Sequence, residues 1–123
     1  MRRLPMGFLA LPFVFAQAAS AADEAGQEAF NNHCRTCHSW KAGDNRLGPS
    51  LHGIVGRKAG SSEGFGFSEP LKKSGVTWDD SSLDKFIANP EGFIPNNNMK
   101  PFTGIADAGT RKQIIDFLKA TPE

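Results

Sequence analysis

The stretch NNHCRTCHSW, residues 31–40, contains the only two cysteines of the chain, Cys34 and Cys37, and His38 follows them directly. Cys-x-x-Cys-His is the spacing of c-type haem attachment. Two thiols one helical turn apart can each add to one of the two vinyl groups of a haem, and the next residue then directs its imidazole at the iron. The motif therefore predicts one covalent haem, with two thioether bonds and His38 as an axial ligand of the iron.

Two other kinds of site share this cysteine spacing. A thioredoxin-like dithiol follows a strand in a βαβ pattern, and the sequence shows no such pattern. A structural zinc site needs four ligands, and only His33 and His52 remain as further histidines, neither of them suitably paired. Both alternatives are therefore weaker than haem attachment.

The amino-terminal 22 residues have the layout of a secretory signal peptide. Arg2 and Arg3 precede the apolar run MGFLALPFVFA, and QAASAA then supplies small residues suited to cleavage. A membrane anchor is the alternative, but the run is interrupted by Pro12 and is shorter than the roughly 20 residues of a transmembrane helix. We therefore expect cleavage after Ala21 or Ala22, and a periplasmic domain of residues 23–123.

The remaining chain is close to neutral. Removal of Arg2 and Arg3 leaves 12 basic residues against 13 acidic ones, which argues against a nucleic-acid-binding surface. Met1 and Met6 leave with the signal peptide, so Met99 is the only methionine of the predicted domain.

The hydrophobic pattern predicts an all-α fold with three main helices over residues 23–34, 81–90 and 107–121. The second is expected to be capped by its first serines, and a short helical turn over residues 68–75 to be capped by Ser68 with Pro70 in its first turn. The glycine-rich segment between His38 and Ser68 has little periodicity. A structureless segment of this length is reasonable where the chain wraps a large apolar group.

The sixth position of the haem iron is either filled by a second protein ligand or left open. A methionine opposite a histidine raises the reduction potential and closes the iron to substrates. Met99 lies in the proline-bracketed segment IPNNNMKPFTG, which is suited to an irregular loop over the haem. His52 is the competing ligand, whereas His33 is expected to point to solvent.

Several further motifs together resemble the class I cytochrome c family, in the branch of bacterial cytochromes c2 and mitochondrial cytochrome c. The likeness covers essentially all of residues 23–123, and its pieces are CRTCH, LGPSLHGIVGRKAG, GFGFSEPLKKSGVTWDD, LDKFIANPEGFIP, MKPFTG and IIDFLK. The resemblance implies a small all-α fold whose long loops wrap one covalent haem. It also implies that Gly26 and Phe30 of the first helix cross the last helix near Phe117.

The resemblance implies further residues around the haem. The proline of a Gly-Pro pair is expected to accept a hydrogen bond from the ligand histidine, which orients the imidazole. Haem propionates held out of water need charged or N–H partners. The implied residues are Pro49 beside His38; Arg57, Ser68 and Trp78 near the propionates; and Asn97 close to Met99, where a threonine is usual.

The chain also departs from the family pattern. It contains no tyrosine, and Phe67 and Phe86 stand where relatives often have one. Glu91, Gly92 and Asn98 occupy positions that are often lysine. The basic patch is therefore expected to be smaller and to consist of Lys41, Lys72, Lys73 and Lys100. We expect electron transfer with partner proteins to depend less on salt than in strongly basic relatives.

The implied function is one-electron transfer by a monomer that docks transiently through its exposed haem edge. The donor would be a dehydrogenase or a bc1-type complex, and the acceptor an oxidase, a reductase or a photosynthetic centre. The alternative is a haem protein whose Met99 releases, so that the iron acts as a peroxidase or gas sensor.

Overall fold

The structure, a computed structural model, describes residues 1–14 and 20–121, and in these residues all regular secondary structure is helical. The helices are α1 (Ala21–His33), α2 (Glu69–Lys72), α3 (Asp80–Ala88), α4 (Pro90–Phe93) and α5 (Ala108–Lys119). The only β-type pairing in the described chain is one isolated bridge between Lys58 and Thr77. The predicted all-α fold is confirmed, and α1, α3 and α5 are its three main helices.

Helix α3 begins differently from the expectation. Its N-cap is Asp79, whose carboxylate accepts the Ser82 N–H, while the Ser82 hydroxyl oxygen accepts the Asp79 backbone N–H. This reciprocal capping box satisfies two amide groups that a helix start leaves unpaired. The serines therefore lie inside the helix, and the prediction that they cap it is wrong, because the aspartate before them offers a stronger acceptor.

The short helices also differ in detail from the prediction. Ser68 occupies the N-cap position of α2, but its side chain makes no capping hydrogen bond. Helix α4 was not predicted as a separate element. It begins at Pro90 because the preceding Asn89 turns the chain and accepts the Gly92 N–H at 3.0 Å.

The first and last helices pack against each other at Gly26. A Cβ atom at this position would lie 2.7 Å from the Phe117 Cβ and 2.8 Å from the Gln113 carbonyl oxygen. The glycine thus allows a close approach of the two helix backbones. Phe30, which is fully buried, lies 5.7 Å from Phe117 between ring centroids, so the crossing implied by the resemblance is present.

Trp40 completes this crossing from the loop after α1. Its ring centroid lies 5.3 Å from that of Phe30 and 5.3 Å from that of Phe117, edge-on to both. Such edge-to-face pairs add to the free energy of area burial. The aromatic cluster fixes the start of the loop segment that follows the Cys-x-x-Cys-His motif.

That loop segment, between α1 and α2, contains turns but no helix or strand, as the glycine-rich sequence predicted. Residues 1–14 have no regular secondary structure and expose their apolar side chains. No helix in the described parts of the chain is both long and apolar enough to span a bilayer. Part of the predicted signal peptide, residues 15–19, lies outside the described residues.

We predict that Gly26→Val destabilises the haem-loaded protein by about 1–3 kcal/mol, because the added methyl groups force α1 and α5 apart. That loss corresponds to a fall of roughly 4 °C or more in the melting temperature. Gly109→Val is the matched control, since Gly109 is exposed in α5 and a Cβ there meets only the Asp107 carboxylate at 3.4 Å. Equal melting temperatures for the two variants would contradict the prediction.

Candidate haem site

The central feature of the structure is a largely apolar cavity of about 480 Å³. Side chains from α1, α3, α5 and the long loops line it, and this volume lies in the range of cofactor sites. Cys34, Cys37, His38 and Met99 all contribute to its wall. Met99 follows the Cys-x-x-Cys-His motif by more than 60 positions in the sequence, and the fold brings both to the same cavity.

His38 is buried, with 6% of its surface exposed, and its Nδ1 lies 2.8 Å from the Pro49 carbonyl oxygen. A carbonyl oxygen can only accept, so Nδ1 carries the hydrogen and donates it, and the lone pair is left on Nε2. Burial lowers the pKa of His38, and the Pro49 hydrogen bond opposes this only in part. The neutral imidazole with a free Nε2 is the form that binds metals.

Gly48 lies in close contact with the imidazole of His38. A Cβ atom at this position would lie 2.7 Å from Nδ1 and 2.9 Å from Nε2 of His38. The Gly48 amide also donates to the Cys37 carbonyl at 2.8 Å. The Gly-Pro pair therefore fixes the ring by close contact as well as by the carbonyl hydrogen bond.

The two cysteines lie in the turn that ends α1. The N–H groups of Cys37 and His38 both donate to the Cys34 carbonyl, at 3.1 and 2.9 Å. Cys34 and Cys37 form no disulfide with each other, and both are partly buried. Burial, followed by the neighbouring Cys37, raises the pKa of Cys34 to about 12. A redox dithiol needs a thiolate with a lowered pKa, so this environment argues against the dithiol alternative.

The remaining alternatives concern a zinc site and the two other histidines, His33 and His52. The described residues form no cluster of three or more cysteine, histidine or carboxylate side chains that could hold a metal ion. His52 does not line the large cavity; its Nδ1 lies 3.2 Å from the Trp40 carbonyl oxygen. His33 is exposed at the cavity rim, as expected for a residue that points to solvent.

The charged groups at the cavity are all cationic in the described chain. Arg57, Lys58 and Lys100 line it, and no aspartate or glutamate of the described residues does so. Arg57 donates to the Ser62 hydroxyl at 2.8 Å. A cavity with cations and no carboxylate suits a ligand that carries negative groups of its own.

Two further predicted residues add hydrogen-bonding groups to the same wall. Ser68 and Trp78 both line the cavity, and Trp78 is 5% exposed. The indole N–H of Trp78 donates to no group of the described residues. Together with Arg57, these side chains fit a macrocycle that bears carboxylates, since each offers a donor or a positive charge.

Met99 lies partly buried on the loop after α4, and its backbone is held by Asn97. The Asn97 amide nitrogen donates to the Ile94 carbonyl at 2.8 Å, and its Oδ1 accepts the Met99 N–H at 2.8 Å. Asn97 is 3% exposed and lines the cavity. Its side chain thus lies at the cavity wall, and its hydrogen bonds go to the loop itself.

One polar contact and part of the apolar wall of the cavity were not predicted from the sequence. Glu91, noted only for its charge, makes hydrogen bonds to the Met99 loop. Leu51, Ile54 and Phe102 line the cavity from irregular segments that have no period to reveal them. The apolar residues of α3 and α5 were visible from helical spacing, since the same face that predicts a helix also predicts burial.

These features define a class of protein: a small helical domain built around one covalently attached haem. Comparison with known proteins agrees. A family model described as Cytochrome c matches residues 24–122. Cytochrome c2 iso-2 of Magnetospirillum fulvum is 48% identical over 71% of this chain and 90% of its own length. Cytochrome c-554 of Methylosinus trichosporium is 36% identical over 96% and 92% of the two chains.

A solved structure, cytochrome cH from Methylobacterium extorquens, is similar with a TM-score of 0.74 at 41% identity, covering 80% of this chain and 98% of that one. The chain belongs to the cytochrome c family. It carries one covalent c-type haem, as the Cys34-x-x-Cys37-His38 motif predicted.

We predict that Gly48→Ala displaces the His38 ring, because the added methyl group occupies the space beside Nδ1. The haem-loaded variant should lose about 1–3 kcal/mol of unfolding free energy in a denaturant titration. Gly109→Ala is the control, since Gly109 is exposed in α5 outside the cavity lining and a Cβ there meets only the Asp107 carboxylate at 3.4 Å. An unchanged unfolding midpoint for Gly48→Ala would show that the contact does not position His38.

Proposed function

We propose that this chain is an exported one-electron carrier whose haem iron is held between His38 and Met99. The observation that carries the proposal is that both side chains line one cavity, with the Nε2 lone pair of His38 left free by the Pro49 hydrogen bond. When bound, the haem supplies a one-electron couple between ferric and ferrous iron. The protein binds and orients that group and keeps water from it.

The proposed roles follow from the donor set. Cys34 and Cys37 would hold the group through thioether bonds, so that it cannot dissociate. Arg57, Ser68 and Trp78 would pair with its carboxylates. The Met99 thioether would close the second axial position, which favours electron transfer over substrate chemistry at the iron.

We propose periplasmic location from the layout of residues 1–22. Helix α1 already begins at Ala21, and Ser20 caps it by accepting the Asp23 N–H at 3.2 Å. Cleavage after Ala21 or Ala22 would remove this cap. Asp23 and Glu24 would then remain in the first turn, where acidic residues stabilise a helix start.

We propose that redox partners dock transiently near the opening of the cavity. Of the four lysines expected there, Lys72, Lys73 and Lys100 lie close to a carboxylate in the structure. Lys72 and Lys73 lie 3.1 and 3.9 Å from the Glu69 carboxylate, and Lys100 lies 3.8 Å from Glu91. Paired surface charges steer a partner less than isolated ones.

The ligand assignment predicts a sulfur-to-iron charge-transfer band in the near infrared for the ferric protein at neutral pH. Met99→Ala should abolish this band and let added imidazole bind the ferric iron, because the sixth position is then open. Absorption spectra of the protein purified from the periplasm test both. A wild-type protein without the band would contradict the assignment and favour an open iron site.

The pairing of these lysines with carboxylates predicts that the rate of electron transfer depends only weakly on ionic strength. The second-order rate of oxidation of the ferrous protein by hexacyanoferrate(III) should fall less than about tenfold between ionic strengths of roughly 0.01 and 0.15 M. Glu69→Gln should steepen the fall, because it leaves Lys72 and Lys73 unpaired. Asp116→Asn is the control with the same change in charge, since Asp116 pairs with Lys112 away from the cavity lining. A steep fall in the wild type would contradict the prediction.

A further inference from the structure

Glu91 makes contacts on both sides of Met99 along the chain. Its Oε1 accepts the backbone N–H of Asn96 at 2.8 Å. Its Oε2 lies 3.5 Å from the Asn97 amide nitrogen and 3.8 Å from the Lys100 ammonium. One carboxylate from α4 thus connects to residues that precede and follow Met99.

The strongest of these contacts holds a constrained turn. Asn96 has φ +62°, in the left-handed region that residues other than glycine seldom adopt. Asparagine tolerates this region better than most residues. A charge-assisted hydrogen bond from its N–H to Glu91 favours this conformation over the extended alternatives.

The contacts continue from Glu91 to the backbone of Met99. Asn97, oriented by Glu91 and by the Ile94 carbonyl, accepts the Met99 N–H at 2.8 Å. Asn97 is buried, so a loss of its partners is costly in free energy. The carboxylate, the buried amide and the Met99 backbone therefore form one connected network.

We propose that Glu91 is a positioning residue for Met99: its carboxylate holds the ligand loop closed, and its loss raises the fraction of molecules in which the sixth iron position is open. This inference rests on the proposed role of Met99. Glu91 does not line the cavity, so it acts through Asn96 and Asn97 and not by contact with the iron.

The expected effect is moderate. Hydrogen bonds to charged groups contribute more than neutral ones, but the Glu91 side chain is 51% exposed, which weakens its contribution by solvent screening. We expect Glu91→Ala to raise the loop-opening equilibrium roughly three- to tenfold. Glu91→Gln keeps one acceptor for Asn96 and should have a smaller effect.

The test is imidazole binding to the ferric, haem-loaded protein. Imidazole can bind only when Met99 has left, so its apparent affinity is the intrinsic affinity scaled by the open fraction. We expect apparent affinity to increase by the same three- to tenfold in Glu91→Ala, and by less in Glu91→Gln. Glu28→Gln, an exposed position of α1, is the matched control and should bind imidazole as the wild type does.

The outcomes separate a positioning role from a general loss of stability. A wild-type imidazole affinity in Glu91→Ala overturns the inference, even if its melting temperature falls. If Glu91→Ala does not accumulate, the test uses Glu91→Gln instead. An imidazole affinity of Glu91→Gln equal to that of Glu28→Gln then overturns the inference. A wild-type protein without the near-infrared band overturns the Met99 assignment and this inference together, whereas a normal band with unaffected Glu91 variants overturns the inference alone.

Discussion

The hydrogen bond from His38 Nδ1 to the Pro49 carbonyl oxygen is the interaction on which the site depends. It fixes the tautomer and the direction of a buried imidazole, and such an outer partner makes the ring a better metal ligand. The bond also ties the end of the Cys-x-x-Cys-His turn to the glycine-rich loop 11 residues later. The loop therefore has a fixed start, and the cavity a defined wall, without any regular secondary structure between α1 and α2.

The two proposed iron ligands are held by different means. His38 is buried, lies in close contact with Gly48 and is hydrogen-bonded to the Pro49 carbonyl. Met99 lies on a loop held by polar contacts from Glu91 and Asn97, of which the first is half exposed. Segments held by exposed hydrogen bonds open at lower free energy than buried ones. We therefore expect His38 to stay in place, whereas the loop that carries Met99 opens more readily.

Local sequence predicted the parts of the fold whose causes are local. The attachment motif lies within five residues, and α1, α3 and α5 each show an apolar face. Helix α4 was missed because four residues carry no period, and Asn89 and Pro90 alone define its start. Trp40 and Glu91 were not recognised as structural, because their partners are set by the α1–α5 crossing and by the left-handed turn at Asn96. Contacts of that kind follow from tertiary geometry, which a single sequence does not display.

Closure of the iron site of an exported domain by Met99 can be tested directly through the methyl group of this residue. Protein purified from the periplasm with ¹³C-methyl-labelled methionine should give one methyl resonance in the ferrous state, since Met99 is the only methionine of residues 23–123. We expect this resonance to lie far upfield of the ordinary methionine range, because the methyl group of a Met99 that closes the iron site would be shielded by the ring current of the haem. A single resonance at the ordinary position would contradict ligation by Met99, and three resonances would contradict removal of residues 1–22.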